Sequence, residues 1–220
     1  MAVVGRTARE HSTKTTNFLI ICKDFSQNDK SMMRASWDHP NAGSITFSDI
    51  PQEKIKNFRS TAYLKSKMAY SRFFIADIFC DVSKCIYLDT DLLVMRDLSE
   101  LMNLDLGKNA IAACVDISVG SGDFQNDYED RLGINDYRKY FNSGVILMDL
   151  DFWRREDISR HIIKLSIEKR DILHSQDQDA LNIIFENKTL YLDSSWNTSQ
   201  YEKPNPITGK IVHLIGSTKP

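Results

Sequence analysis

The sequence of 220 residues has no apolar run near the ~20 residues that a membrane-spanning helix needs. Its first residues also lack the apolar core of a secretory signal peptide. Basic and acidic side chains nearly cancel, leaving a formal net charge of −2. A chain without a basic excess has no electrostatic footprint for nucleic acid. We therefore predict a cytoplasmic protein that does not bind nucleic acid.

Cysteine is scarce, and its spacing excludes a zinc site. The four cysteines, Cys22, Cys80, Cys85 and Cys114, do not form the paired spacings of zinc ligands. Three of them lie in apolar strand or helix segments, so we predict reduced thiols that serve as packing residues. The chain also has no internal repeat and no low-complexity linker. With 220 residues, it is long enough for one α/β domain with a proper core.

Short apolar runs that alternate with polar, helix-forming segments predict the α/β class. Buried strands are predicted at 18–22, 45–47, 85–88, 110–115, 145–149, 189–192 and 211–214. Helices are predicted after Ser26 and over 66–79, 157–169 and 180–185. The first twelve residues hold no convincing strand, and 7–11 is compatible with a helix. The polar stretch 117–137 is predicted to be a long loop, of the kind that covers an active site.

The clearest chemical signal is the pair Asp89 and Asp91, which follows the strand predicted at 85–88. Side chains alternate along an extended backbone, so both carboxylates can project to one side while Thr90 projects to the other. Like charges at a strand end repel each other, and a divalent cation that prefers oxygen ligands removes this repulsion. The pattern indicates Mg²⁺ or Mn²⁺, but Asp-x-Asp is common, and a strand followed by a polar turn explains it equally well.

Other predicted strands also end near polar residues, namely Asp116, Asn142 and His213. Ligands of open α/β sheets bind beyond the carboxyl ends of the strands, so we expect these residues and the two carboxylates in one crevice. Carboxylates with an imidazole suit Mn²⁺ or Mg²⁺. A histidine after two apolar residues is more often a packed core residue. Gly216 and Lys219, close behind it, favour a loop that contacts phosphate.

Two helices carry charged or amide side chains that allow more than one interpretation. Arg72 lies within the apolar stretch 66–79, where its guanidinium must either reach water or meet an anion. Asp177 and Asp179 open a predicted helix, and the favourable charge of a helix N-terminus explains them without any further role. Gln178, between them, needs no such role and is free for recognition.

Five segments together resemble the retaining glycosyltransferases of family 8, in particular the bacterial lipopolysaccharide galactosyl- and glucosyltransferases. The segments are YSR at 70–72, YLDTD at 87–91, YFNSGV at 140–145, DQDALN at 177–182 and HLIGSTKP at 213–220. These segments follow one another along the chain in the same order as in the family. The resemblance implies a GT-A fold, which is a Rossmann-like arrangement with a mixed central sheet flanked by helices. It also implies one family 8 domain over residues 1–220.

The resemblance further implies a donor, an acceptor and a set of site residues. The donor would be a UDP-hexose carrying glucose or galactose, and the acceptor a glycan or lipid-linked saccharide in cell-surface glycan synthesis. Asp89, Asp91 and His213 would bind Mn²⁺ or Mg²⁺, with Gly216 and Lys219 on the diphosphate. The remaining donor contacts would be Arg72, Thr90, Asp116, Asn142, Ser143, Asp177 and Gln178. Of these, Gln178 and Asp177 are the predicted catalytic residues.

The chain departs from the family at both ends. Nothing before residue 17 matches the opening strand and uridine-binding loop, so we expect a domain that is truncated at its N-terminus and lacks that strand. Relatives continue past Pro220 with an aromatic residue and often a basic tail that associates with membranes, so weak attachment to the inner face of a membrane is left open. The oligomeric state and the choice between double displacement and same-face displacement are open too.

Two alternatives compete with an active hexosyltransferase. A truncated family member could keep the fold but bind nucleotide poorly. A phosphotransferase that forms an aspartyl-phosphate also places Asp-x-Asp after a strand, but usually has Thr or Val two residues after the second Asp, where this chain has Leu93.

Overall fold

The computed structural model describes residues 2–60, 66–119 and 125–216. The α-helices are α1 (Ala2–Glu10), α2 (Gln27–Ser36), α3 (Gln52–Ile55), α4 (Ile75–Ile78), α5 (Leu98–Met102), α6 (Gln125–Leu132), α7 (Leu150–Arg155), α8 (Ile158–Glu168) and α9 (Asp177–Phe185). The strands are β1 (Thr16–Cys22), β2 (Ala42–Asp49), β3 (Lys84–Leu88), β4 (Leu92–Val94), β5 (Ile111–Val115), β6 (Phe141–Asp149), β7 (Thr189–Tyr191), β8 (Thr198–Ser199) and β9 (Ile211–His213). Within the described residues, 3-10 helices lie at Met68–Phe74, Tyr137–Lys139, Ser194–Trp196 and Gln200–Glu202. No helix within the described ranges is both long and apolar enough to cross a membrane.

The chain forms two compact units whose segments alternate along the sequence. The first unit comprises Met1–Ile50, Ile86–Asp105 and Asp193–Pro220. The second unit comprises Pro51–Cys85 and Leu106–Leu192, so the boundary falls within β3. The expectation of one domain over the whole length stays a prediction.

In the first unit, β1 and β2 form a parallel pair beside α2. Buried Ile20, Cys22 and Trp37 form its core, which half-buried aromatic and aliphatic side chains extend. Helix α2 begins at a capping box, in which Ser26 and Asp29 satisfy each other's backbone N–H groups. These observations confirm the predicted strands at 18–22 and 45–47 and the helix after Ser26.

The first unit contains a three-stranded sheet in the order β4-β9-β8, in which the start of β4 lies beside the end of β9. Strand β9 runs antiparallel to β4, with Leu92 opposite His213, and parallel to β8. Because Leu92 is the first residue of β4, Asp91 just before it lies beside the end of β9. Helix α1 contacts β4 through Thr7, whose Oγ1 accepts a hydrogen bond from Val94 N at 3.1 Å. The helix compatible with 7–11 is present and begins at Ala2.

The second unit contains the strands β6, β5 and β7, which are neighbours in that order. Strand β5 runs antiparallel to β6 and parallel to β7, so the predicted mixed pairing is confirmed. Residues Ile111 and Val145 are fully buried, and helices α7 and α9 add the Trp153–Phe185 ring contact at 5.2 Å. Burial of these side chains explains the apolar runs from which the strands were predicted.

Three elements differ from the sequence prediction. The segment 66–79 is a 3-10 helix followed by the single turn α4, because the five consecutive residues Tyr70–Phe74 are all buried and no one face of an α-helix could bury them. Helix α6 lies within the predicted loop 117–137 and is followed directly by Gly133, whose φ is +71°. Residues 120–124 of that loop lie outside the described ranges. Strand β6 begins at Phe141 instead of 145, because its start pairs with Val115.

Candidate functional site

The two carboxylates of the Asp-x-Asp pattern lie in the connection from β3 to β4 and are half-buried. The hydroxyl of Tyr87 donates a 2.8 Å hydrogen bond to Asp89 Oδ1. The backbone N–H of Leu214 donates to the carbonyl of Asp91 at 2.9 Å. The connection is therefore held at the Asp89 carboxylate by the Tyr87 side chain and at the Asp91 backbone by the segment that follows β9.

His213 is the last residue of β9, and its ring faces both carboxylates. Its Nε2 lies 3.3 Å from Asp91 Oδ1 and 3.7 Å from Asp89 Oδ2. Its Nδ1 lies 3.0 Å from Asn197 Oδ1. A proton on Nδ1 that is donated to the Asn197 oxygen leaves the lone pair of Nε2 directed at the carboxylates, as metal-binding histidines require. His213 is thus both buried, as the packed-core interpretation expected, and suited to bind a cation.

The three side chains fit a small divalent cation. Their ligand atoms all lie within 4.8 Å of one another, and the structure shows no second such cluster of three in the ranges it describes. At metal–ligand distances of about 2.1 Å, neighbouring ligand atoms of an octahedral ion are roughly 3 Å apart. The 3.3 Å and 3.7 Å separations are close to this value. Two carboxylates and one imidazole also match the ligand preference of Mn²⁺ and Mg²⁺.

Behind the candidate metal site, the chain turns at Gly216 with φ of +92°. This positive φ strains residues that have a Cβ atom, and a Cβ atom at this position would also lie 2.6 Å from the hydroxyl oxygen of Tyr201, so the position favours glycine. The neighbouring carbonyl of Ile215 accepts a 2.8 Å hydrogen bond from Gln200 Nε2. Thr90 is exposed. Lys219 lies outside the described residues, so the diphosphate contacts predicted for Lys219 and Gly216 stay predictions.

In the second unit, a hydrogen-bonded cluster forms where β5 ends and β6 begins. Because these strands are antiparallel, Asp116 follows β5 beside the start of β6, and its backbone N–H donates to Tyr140 O at 2.8 Å. Its Oδ2 accepts hydrogen bonds from Asn142 Nδ2 at 3.1 Å and from Gln178 Nε2 at 3.0 Å. The Oε1 of Gln178 accepts from Ser143 N at 3.0 Å. Four of the predicted donor contacts are therefore joined in one network.

Arg72 and Asp177 form a buried ion pair in the same unit. Arg72 is only 3% exposed, which excludes the interpretation that its guanidinium reaches water. Its Nε lies 3.0 Å from Asp177 Oδ2, and its Nη1 donates to the carbonyl of Ser143 at 2.6 Å. Asp177 is 4% exposed, so it is more than a solvated acid at a helix start. The anion that Arg72 meets within this unit is a side chain of the protein.

Three residues that shape these clusters were not predicted from the sequence. Asn197 orients the imidazole of the candidate metal site, and no sequence pattern pointed to it. Asp179 was assigned to the start of a helix, yet it is fully buried and accepts a 2.6 Å hydrogen bond from the Tyr140 hydroxyl. Arg131 pairs with Asp179 at 2.9 Å. The i, i+4 spacing of Asp127 and Arg131 was a signal for α6, but not for this longer contact.

Comparison with known proteins identifies the family. The sequence profile described as "Glycosyl transferase family 8" matches residues 1–220. The chain belongs to glycosyltransferase family 8. The resemblance inferred from the five segments is therefore confirmed.

Solved structures confirm the GT-A fold. An active-site mutant of LgtC superimposes with a TM-score of 0.87 at 26% sequence identity, covering 99% of this chain and 83% of that chain. The galactosyltransferase LgtC in complex with donor and acceptor sugar analogs gives a TM-score of 0.86, with the same identity and coverage.

Curated relatives are similar over part of their length. The lipopolysaccharide 1,3-galactosyltransferase of Salmonella typhimurium is 33% identical over 184 residues, which are 78% of this chain and 54% of that protein. General stress protein A of Bacillus subtilis is 32% identical over 175 residues, which are 70% of this chain and 59% of that protein. The chain thus spans between half and three fifths of the length of these two relatives.

Proposed function

We propose that this protein is a metal-dependent, retaining hexosyltransferase that moves glucose or galactose from a UDP-sugar to a glycan acceptor. The observation that carries the proposal is the cluster of Asp89, Asp91 and His213 in a family 8 chain. The likeness to a galactosyltransferase solved with donor and acceptor sugar analogs supports the substrate class. The similarity to a lipopolysaccharide 1,3-galactosyltransferase supports a role in cell-surface glycan synthesis.

In this proposal, the residues of the first unit hold the cation and set its surroundings. Bound Mn²⁺ or Mg²⁺ supplies positive charge that stabilises the negative charge of departing UDP. Asn197 keeps Nε2 of His213 available as a ligand. Tyr87 restrains Asp89, whose second oxygen faces the imidazole. Gly216 gives a turn without a side chain, which allows close approach of backbone N–H groups to phosphate.

In the second unit, the donor sugar would be held by the polar cluster around Asp116. Amide and carboxylate groups are suited to the hydroxyl groups of a hexose, because they offer both donors and acceptors. Gln178 is oriented by two partners, Ser143 and Asp116, before any sugar binds. This preorganisation fits a side chain that contacts the reacting centre. Asp177 contributes by neutralising Arg72, and whether Gln178 acts as nucleophile or stabiliser is left open.

Metal-dependent release of UDP tests the proposal. Purified protein is incubated with UDP-glucose or UDP-galactose, with and without Mn²⁺, using water and lipid-linked sugars as acceptors. We expect release with one of the two donors, and we expect Asp91→Asn to lower it by about two orders of magnitude. The control is Asp24→Asn, because Asp24 has an 85% exposed side chain in the same unit and lies outside the cluster.

Direct binding measurements separate the metal site from turnover. Mn²⁺ binding, followed by electron paramagnetic resonance, should be lost in Asp91→Asn and retained in Asp24→Asn. Equal Mn²⁺ binding by the wild type and Asp91→Asn would show that the metal assignment is wrong. Mn²⁺ binding without turnover of either donor, together with weak UDP affinity, would favour the alternative of a family member that keeps the fold but is inactive.

A further inference from the structure

We propose that Arg131 of α6 is a positioning residue for Gln178, and that it acts through Asp179 at the start of α9. The inference rests on the proposed function, in which Gln178 contacts the donor sugar. It adds a residue that lies outside the polar cluster around Asp116. It also assigns a role to α6, which lies within the stretch predicted to be a loop.

Asp179 is the link between α6 and the start of α9. It is fully buried, and its Oδ1 accepts a 2.6 Å hydrogen bond from the Tyr140 hydroxyl. Its Oδ2 accepts from the backbone N–H of Ser175 at 3.0 Å and from Arg131 Nη1 at 2.9 Å. A buried carboxylate with this many partners is fixed in one orientation, because any other orientation would leave buried charge or donors unsatisfied.

Arg131 is the charged partner of this carboxylate. Its side chain is 9% exposed and also donates to Asp127 Oδ2 at 2.9 Å and to the carbonyl of Ile172. The central carbon of its guanidinium lies over the ring of Tyr128, 5.3 Å from the ring centroid. Burial alone would lower the pKa of Arg131, but the hydrogen bond and charge of Asp179 raise it. The guanidinium therefore stays charged and joins α6, the segment before α9 and α9 itself.

The three residues that open α9 have three different sets of partners. Successive helical residues project about 100° apart, so Gln178 stands between the buried ion pairs of its two neighbours. Asp177 pairs with Arg72 on one side, and Asp179 pairs with Arg131 on the other. The Gln178 amide between them points to Ser143 and Asp116. The two ion pairs thus set the rotation of α9 that aims this amide.

The backbone before α9 shows why such support is needed. Gln176 has φ of 50° and ψ of −115°, a conformation that residues other than glycine rarely adopt. Strained backbone of this kind persists only where surrounding contacts hold it in place. Arg131 supplies such contacts on both sides of Gln176, at Ile172 before it and at Asp179 after it. Loss of Arg131 should let the start of α9 relax and turn Gln178 away from its partners.

Three substitutions isolate this role. Arg131→Met removes the charge but keeps much of the side-chain volume, and Arg131→Lys keeps the charge. The matched control is Arg154→Met, because Arg154 of the same unit also pairs with a carboxylate, Asp151, at 2.6 Å and donates to two backbone carbonyls. Arg154 contacts neither α6 nor α9 through these bonds. The Arg154→Met variant should therefore show the general loss of stability and activity that follows from removing a half-buried arginine.

Turnover kinetics give the first readout. We expect Arg131→Met to lower kcat at least tenfold with less than a twofold change in the KM for the UDP-hexose, because the bound sugar loses a correctly aimed Gln178. Arg131→Lys should recover most of kcat, and Arg154→Met should keep it within twofold. Equal losses in Arg131→Met and Arg154→Met, or an effect on KM alone, would overturn the proposal.

Amide hydrogen exchange gives a second readout that needs no turnover. The Ser143 N–H donates to the Gln178 side chain, so its exchange rate in NMR spectra reports whether that side chain is in place. We expect the Ser143 N–H to exchange at least tenfold faster in Arg131→Met than in Arg154→Met. Gln178→Ala is the positive control, because it removes the acceptor of this N–H. If Ser143 stays equally protected in Arg131→Met and Arg154→Met, Arg131 does not position Gln178. This result would stand even if no UDP-hexose were turned over.

Discussion

Replacement of Gly5 by alanine should destabilise the protein, although the same change stabilises most helices. Gly5 lies in the interior of α1, and a Cβ atom built there would be 2.1 Å from Cε2 of Trp37, with two more ring atoms within 2.4 Å. Trp37 is 2% exposed and packs against Phe18, with ring centroids 4.7 Å apart. Its carbonyl accepts a hydrogen bond from buried Arg9. The indole ring therefore has little room to move away.

The expected size follows from two opposing effects. Alanine is favoured over glycine in a helix interior by ~0.5–1 kcal/mol. Overpacking of a filled core costs ~1–3 kcal/mol, and carbon atoms normally approach only to about 3.5–4.0 Å. Because the new methyl group would lie well inside that distance from three ring atoms, we take the upper part of the range. The net loss for Gly5→Ala is then about 2 kcal/mol, or roughly 4–8 °C in Tm for a chain of this size.

Thermal and urea unfolding followed by circular dichroism measure this loss. A double-mutant cycle with Trp37→Leu identifies its cause, since a smaller side chain should make room for the methyl group. In the Trp37→Leu background, Gly5→Ala should cost no more than about 0.5 kcal/mol. An unchanged or raised Tm for Gly5→Ala in the wild-type background would show that α1 does not pack this closely on Trp37.

Two further predictions concern the second unit and the thiols. Asp177→Asn should lower the free energy of unfolding by ~3–5 kcal/mol, because it leaves the Arg72 guanidinium buried without its charged partner. Gln178→Ala should mainly lower kcat and should lower Tm far less. Equal melting temperatures of the two variants would contradict this prediction. Burial raises the pKa of Cys85 to about 12, and burial together with Asp49 raises that of Cys22 to about 11, so both thiols stay protonated and unreactive at pH 8. Ellman's reagent at pH 8 should therefore modify one thiol rapidly, that of exposed Cys80, and this fast phase should disappear in Cys80→Ser. Rapid modification of a second thiol would show that a cysteine other than Cys80 is more exposed than the structure indicates.

Local sequence patterns were sufficient for much of the fold. The strands at β1, β2 and β5 follow apolar runs whose length matches their observed extent to within a few residues. The signal for the start of helix α2 was equally local, since the capping box at Ser26 lies within four residues of sequence. Such elements are predictable because the residues that stabilise them are neighbours along the chain.

Elements stabilised by distant residues were missed or misplaced. Helix α6 has a polar sequence and depends on Arg131 contacting Asp179, 48 residues further along. The start of β6 at Phe141 depends on pairing with the end of β5. In the segment 66–79, five consecutive buried side chains replace the one-sided pattern of an α-helix. Local propensity does not contain these contacts, so tertiary packing decided all three.

The candidate site divides in the same way. The sequence by itself determined which side chains can do chemistry: the carboxylates of Asp89 and Asp91, the imidazole of His213 and the amide of Gln178, recognisable from residue type and spacing. Only the tertiary structure decided how they are aimed. Asn197 orients His213 from 16 residues away, and Ser143 orients Gln178 from 35 residues away. Ligand chemistry belongs to a single side chain, whereas its orientation depends on hydrogen bonds that exist only after distant segments have folded together.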